Sequence, residues 1–155
     1  MRHHVELTRV GPLHTAVIRD RIPARELSRF VPAACGEVWT FIRKPGLPKP
    51  GRNLALYLDR AGSVECGVEV SSPFTGNDRV ISSHTPGGLV ATTTHFGPYI
   101  SLVETHRAIE TWCSAQGHQM SGASWELYGH WQEEWTSDPS KIRTDVYHLI
   151  RPNER

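Results

Sequence analysis

Landmark residues recur along this chain at a nearly constant interval. Ala16 and Ala91 lie 75 apart, as do Pro23 and Pro98; Trp39 and Trp112 are 73 apart, and Gly46 and Gly117, like Tyr57 and Tyr128, are 71 apart. The small drift falls where loops are expected, so the order of elements in one half predicts that of the other. Half of a 155-residue chain has too little interior to be stable alone. The halves must bury surface against each other, and one domain over 1–155 is expected, with repeats at about 11–72 and 88–151.

In the first half the Gly11-Pro12 turn opens a strand over 13–19, and Pro23 suits the first turn of a helix. Leu27, Phe30, Val31, Ala34, Cys35, Val38 and Ile42 follow at helical spacing, with Pro32 expected to kink or restart the helix and Lys44-Pro-Gly46 to end it. Strands over 53–59 and 64–70 complete the unit. After a turn-rich stretch and a short strand at 79–83, the pattern returns. A strand at 89–96 leads through Gly97-Pro98 to a helix with a capping-box pattern, Ser101-x-x-Glu104, and Gly117 as its stop. Strands at 124–130 and 143–150 follow, separated by a loop over 132–141. The expected fold class is α+β. Two β-α-β-β units related by a pseudo-twofold axis form an antiparallel sheet with helices on one side and a groove at the seam.

The stretch Gly122 to Trp131 carries the chemistry. Alternation places Trp125 and Leu127 on one face of the strand and Glu126, Tyr128 and His130 on the other. One face reads as core; the other offers a carboxylate beside a phenol, on a rigid element. A solvated strand face is the plain alternative. If the carboxylate is buried, Tyr128 or another hydroxyl must hydrogen-bond to it.

Several function classes lack support. Lys plus Arg number 17 against 16 Asp plus Glu, so direct nucleic-acid binding is not expected; Arg19, Arg21, Arg25 and Arg29 read as a solvated face. No apolar run approaches a membrane span, and the polar start shows no secretory signal. Cys35, Cys66 and Cys113 are odd in number and widely spaced among apolar residues. They read as buried free thiols in a cytoplasmic protein. The nine histidines show no metal-ligand spacing, so neither metal nor cofactor is expected. Nucleophile-elbow and phosphate-loop motifs are absent from the sequence.

Taken in order, Gly36-Glu-Val-Trp39, Ala55-Leu-Tyr57, Gly97-Pro-Tyr99, Trp125-Glu-Leu-Tyr128, Asp138-Pro139 and Arg143-Thr-Asp-Val-Tyr-His-Leu149 resemble the GyrI-like small-molecule-binding superfamily. That group includes gyrase-inhibitory proteins and the effector-binding domains of multidrug-sensing regulators. The resemblance implies a groove for bulky, flat, hydrophobic or cationic aromatic molecules. It implies Glu126 as the ligand-binding carboxylate and Tyr57, Tyr128 and Tyr147 as walls. Trp39, His95, Tyr99 and Trp131 are further candidates, with Trp39 also readable as core and Trp131 with Trp135 as a lid or association surface. The resemblance also implies an alternative, since one branch of stand-alone members looks like hydrolases of cyclopropane-bearing DNA-alkylating natural products. On that reading Glu126 is the general base, with Tyr128 or His95 polarising the substrate carbonyl. Inhibition of a protein partner, as by a gyrase inhibitor, is a third reading. The domain occupies nearly all 155 residues, which argues against a regulator; a monomer or weak homo-oligomer is expected.

Overall fold

Both halves of the sheet are built with one connectivity. The computed structural model describes residues 3–152. Among them the first half supplies β2 (His14–Arg21), α1 (Leu27–Ile42), β3 (Pro50–Tyr57) and β4 (Ser63–Val70). The second supplies β6 (Gly88–Phe96), α2 (Leu102–Ala115), β7 (Met120–Tyr128) and β8 (Arg143–Ile150). Each half is preceded by a short strand, β1 (Glu6–Val10) or β5 (Ile81–His84), and α3 (Glu134–Ser137) sits between β7 and β8. All eight strands join one sheet in the order β1-β6-β8-β7-β3-β4-β2-β5. Every pairing is antiparallel. The pseudo-twofold axis runs between β7 and β3.

The leading strands are exchanged between halves: β1 pairs with β6 and β5 with β2. This forces the sheet to curl. In a flat sheet β1 and β2, six strand spacings apart, would be separated by about 29 Å. Yet only three residues, 11–13, join them, a reach of about 14 Å between the flanking Cα atoms. The linker 85–87 imposes the same limit on β5 and β6. The two linkers bind each other: Leu13 N–H donates to Thr85 Oγ1 at 2.8 Å and Thr85 N–H to Leu13 O at 2.9 Å.

The curl gives the sheet two buried faces. Ala16, Ile18, Ala55, Val64, Cys66 and Val68 meet α1 through Ala34, Val38 and Ile42. Ala91, Val146 and Ile150 meet α2 through Leu102, Ile109 and Cys113. Val17, Leu54, Leu56, Val90, Trp125 and Leu127 form a third core on the face turned away from the helices, with Val10 and Leu13 packed against it. Trp125 and Leu127 are thus core, as their alternation with Glu126 requires.

Local expectations fare unevenly. Helix α2 ends in a Schellman motif at Gly117 (φ +77°): His118 N–H donates to Cys113 O and Gly117 N–H to Ser114 O. The capping box does not form. A 3-10 turn, Tyr99–Ser101, precedes α2, and the Ser101 hydroxyl donates to Pro98 O at 2.7 Å instead. A matching turn, Ala24–Glu26, precedes α1, which runs through Pro32 without interruption.

Candidate functional site

Helix α1 packs on β2, β3 and β4, and α2 on β6 and β8. The seam between β3 and β7 is left between the helices, and over it lies a cavity of about 1160 Å³. Leu27, Val31, Cys35 and Trp39 of α1 line one wall; Tyr99, Ile100 and Val103, at the entry to α2, line the other. The floor is Asn53, Tyr57, Glu126 and Tyr128, and His130 and Trp131 reach the mouth. The space exceeds that of most drug-sized ligand pockets, so a bulky guest fits.

Strand register explains the floor. Ile18, Cys66, Ala55, Glu126, Val146 and Thr93 lie side by side across six strands on the helix-facing surface. Glu126 is the one charged member of that row and is only 4% exposed. Its partners satisfy it. Oε1 accepts from the Tyr128 hydroxyl at 2.6 Å and the Tyr57 hydroxyl at 3.1 Å. Burial first, then the adjacent carboxylate, push both phenols far above their usual range, so both stay protonated donors. Oε2 lies 2.7 Å from His106 Nε2, which must donate because a carboxylate accepts.

The chain of contacts continues. His106 Nδ1 is 2.8 Å from His148 Nε2, with the rings edge to face at 5.0 Å. Burial, then the neighbouring His106, depress His148 to about 3, so it is neutral near pH 7. Neither histidine was singled out by sequence reasoning. Each nonetheless sits on a buried stripe: His106 is four residues from Leu102 and three from Ile109, and His148 alternates with Val146 and Ile150. Among the described residues no group of three or more His, Cys, Asp or Glu side chains is disposed to hold a metal ion.

Six of the eight candidates named from sequence meet at the cavity: Glu126, Tyr57, Tyr128, Trp39, Tyr99 and Trp131. Tyr99 stands edge-on to Tyr128 at 5.5 Å. The Trp39 indole N–H donates to Asn53 Oδ1, and Arg43 lies over its ring at 5.4 Å. Trp131, 55% exposed, packs against Trp135. Trp135 is held close to Gly129, where an added Cβ would fall 3.1 Å from its ring and 2.9 Å from Arg143 O.

Two candidates are elsewhere. Tyr147 points to the far face and stacks on its cross-strand partner Trp125 at 5.3 Å, because Val146 and His148 take the helix side of β8. His95 is buried beneath the start of α2. Its Nδ1 meets Thr105 Oγ1 at 2.6 Å and its Nε2 meets Pro98 O at 3.1 Å, so it anchors the helix entry instead of lining the cavity.

The family model of the GyrI-like small molecule binding domain matches residues 3–151. No curated protein matches the sequence. Among solved structures, the EcmrR C-terminal domain superposes with a TM-score of 0.80 at 19% identity, covering 99% of this chain and 100% of that one. An EcmrR–DNA complex matches at TM-score 0.77 and 19% identity, over 97% of this chain and 58% of that chain. SAV2435 bound to tetraphenylphosphonium gives 0.67 at 12% identity, over 97% and 94% of the two chains. A hydrolase from Listeria innocua gives 0.61 at 13%, over 95% and 91%. At these identities the likeness is one of fold. Among the described residues no helix is long and apolar enough to cross a membrane.

Proposed function

The chain belongs to the GyrI-like family of small-molecule-binding domains, and from that premise we propose that its cavity binds bulky aromatic molecules carrying positive charge, with Glu126 as counter-charge. The observation that carries the reading is the placement of Glu126. It is the one carboxylate among the described residues lining the cavity and it is buried; Leu27, Val31, Trp39, Tyr57, Tyr99 and Tyr128 are among the walls, and Arg43 is the one Lys or Arg of the described lining. A buried carboxylate that no Lys or Arg pairs with among the described residues favours a guest that brings a positive charge. Tyrosine and tryptophan faces add cation–π attraction, about 2 kcal/mol when desolvated. That the likeness of fold includes a protein bound to tetraphenylphosphonium supports the choice of ligand class.

Titration of tryptophan fluorescence with tetraphenylphosphonium tests this. The expected affinity is micromolar, roughly −8 kcal/mol. Glu126→Gln should weaken it at least tenfold while changing the affinity for neutral triphenylphosphine oxide far less. Equal loss for both ligands would make the carboxylate a structural group and end the reading.

Hydrolysis is a second reading, favoured by one contact. Glu126 Oε2 and His106 Nε2, 2.7 Å apart, form a pair able to pass a proton, as a general base facing an electrophile requires. Incubation with a cyclopropane-bearing alkylator distinguishes the two. Many ring-opened product molecules per protein mean turnover, and intact compound recovered on denaturation means binding alone.

A further inference from the structure

We propose that His106, backed by His148, sets the charge preference of the cavity. The imidazole pair holds a proton when the cavity is empty or holds a neutral guest, and releases it to solvent when a cation binds at Glu126. This rests on the cation-site reading above.

The geometry separates the two positive charges. The tyrosines bound to Oε1 line the cavity, whereas His106, which is not among its lining residues, holds the other oxygen, Oε2. A guest approaches one side of the carboxylate, and the imidazole holds the other.

Charge accounting then makes the two compete. No Lys or Arg pairs with Glu126 among the described residues; the nitrogen at its carboxylate is that of His106. The other titratable groups facing this pair cannot supply a cation in its place. They are Tyr57 on β3, Cys66 on β4, Tyr128 on β7 and the depressed His148 on β8. Arg60, in the β3–β4 turn, acts on His148 and opposes its protonation. On α2 itself Arg107 and Glu110 are exposed to solvent. Beneath α2, β6 offers His95, engaged by Thr105, and from α1 the cavity receives the Cys35 thiol and Arg43, which lies over Trp39. One proton on the imidazole pair or one cation in the cavity neutralises Glu126. Both together leave a net positive charge in a buried site, which is unfavourable.

The pair can gain or lose that proton without moving a heavy atom. When it is neutral, His106 donates from Nε2 to Glu126 and accepts at Nδ1 from His148 Nε2–H. A proton taken up at Nδ1 of His148 sends the Nε2 proton across the 2.8 Å gap. His106 then donates from both nitrogens, and His148 remains neutral as the other tautomer. Because linkage is reciprocal, a cation that expels this proton binds more tightly as pH rises, by up to tenfold per pH unit. His106 acts through Glu126, so it is a positioning residue, and proton stoichiometry is the readout that a structural role alone would not move.

Calorimetry with tetraphenylphosphonium in buffers of different ionisation enthalpy tests the proposal. The probe has no ionisable group, so every proton counted comes from the protein. Between pH 5 and 8 the wild type should show a pH at which release approaches about one proton per cation bound. His106→Gln, which keeps a donor for Glu126 and has no proton to give, should release none. Tetraphenylborate, of the same shape and opposite charge, should release no proton on binding, and release equal to that of the cation would overturn the inference. Binding of the cation without release across that range, or undiminished release from His106→Gln, overturns the inference and leaves the cation site standing. No binding at any pH overturns both. Should His106→Gln not fold, imidazole 15N NMR of the wild type carries the test. Adding the cation at fixed pH must convert the His106 ring from its cationic to its neutral pattern, and an unchanged pattern overturns the inference.

Discussion

Ala55 lies directly across the β3–β7 seam from Glu126 and is its counterpart in the other half of the chain, 71 residues away, as Tyr57 is of Tyr128. The duplication has therefore been used asymmetrically. One half supplies the charge and the other a buried alanine beside it, while the two related tyrosines converge on a single carboxylate oxygen. Two glutamates opposite each other on the sheet would repel; one glutamate and one alanine leave a site with one polarity.

A larger side chain at Ala55 should displace Glu126 and its neighbours and disrupt the site. Ala55 is fully buried, so Ala55→Leu is expected to cost about 1–3 kcal/mol of stability through overpacking. It should abolish tetraphenylphosphonium binding at temperatures where the variant is still folded. Retained binding in a folded variant, followed by fluorescence and circular dichroism together, would place the guest away from the seam.

The two phenols should count unequally. Tyr128→Phe removes the 2.6 Å bond and Tyr57→Phe the 3.1 Å bond. Hydrogen bonds to charged groups are worth about 1.5–3 kcal/mol, with Tyr128 at the upper end. Because both end on Oε1, urea unfolding of the double variant should depart from the sum of the singles. Strict additivity would mean the two hydroxyls do not share their acceptor.

Much of this arrangement is written in residue order. Periodicity and spacing reveal the two β-α-β-β units, the helical stripe of Ala34, Cys35, Val38 and Ile42, and the opposed faces of Trp125 and Glu126. Strand β1 escaped because Glu6 to Arg9 are all exposed, so no burial period marks it, and its exchange onto β6 depends on the curl of the whole sheet. Tyr147 was misplaced although the parity of β8 carries the answer: a strand that buries Val146 and Ile150 against a helix must turn Tyr147 the other way. His106 and His148 were legible only as polar residues at buried positions. What joins them to Glu126 is a meeting of α2, β7 and β8 that no local pattern encodes.

Stability should fall with acid through His148. Its folded-state value, about 3, lies below the usual 6.5, so between these the unfolded chain binds the extra proton. The contribution is complete above about pH 6.5 and is lost as pH falls toward 3, with a slope approaching about 1.4 kcal/mol per pH unit for one proton. Urea unfolding from pH 4 to 7 measures it, and His148→Gln should flatten the slope. The same slope in both proteins would assign the acid sensitivity to other groups.

The cavity thiol should be sluggish. Burial pushes Cys35 up to about 11 and holds Cys66 and Cys113 above their usual range as well, so little thiolate exists at neutral pH. Labelling with a disulfide reagent at pH 7.4 should be at least tenfold slower in the folded than in the urea-unfolded protein. Bound tetraphenylphosphonium should slow labelling of Cys35, which lines the cavity, more than that of Cys113. Equal protection of the two would argue for general stabilisation instead of occupancy.

The position of a bound charge tests the account most directly. Tetraphenylarsonium has the shape of the phosphonium and an anomalous scatterer at its charge centre, so crystals of the complex locate that centre without interpretation of the rings. The account predicts one arsenic peak between α1 and α2, over the seam and facing Glu126, which is lost in crystals of Glu126→Gln soaked identically. A peak persisting unchanged in Glu126→Gln, or lying instead at the smaller cavity beside Arg9, His118 and Arg151, would contradict it.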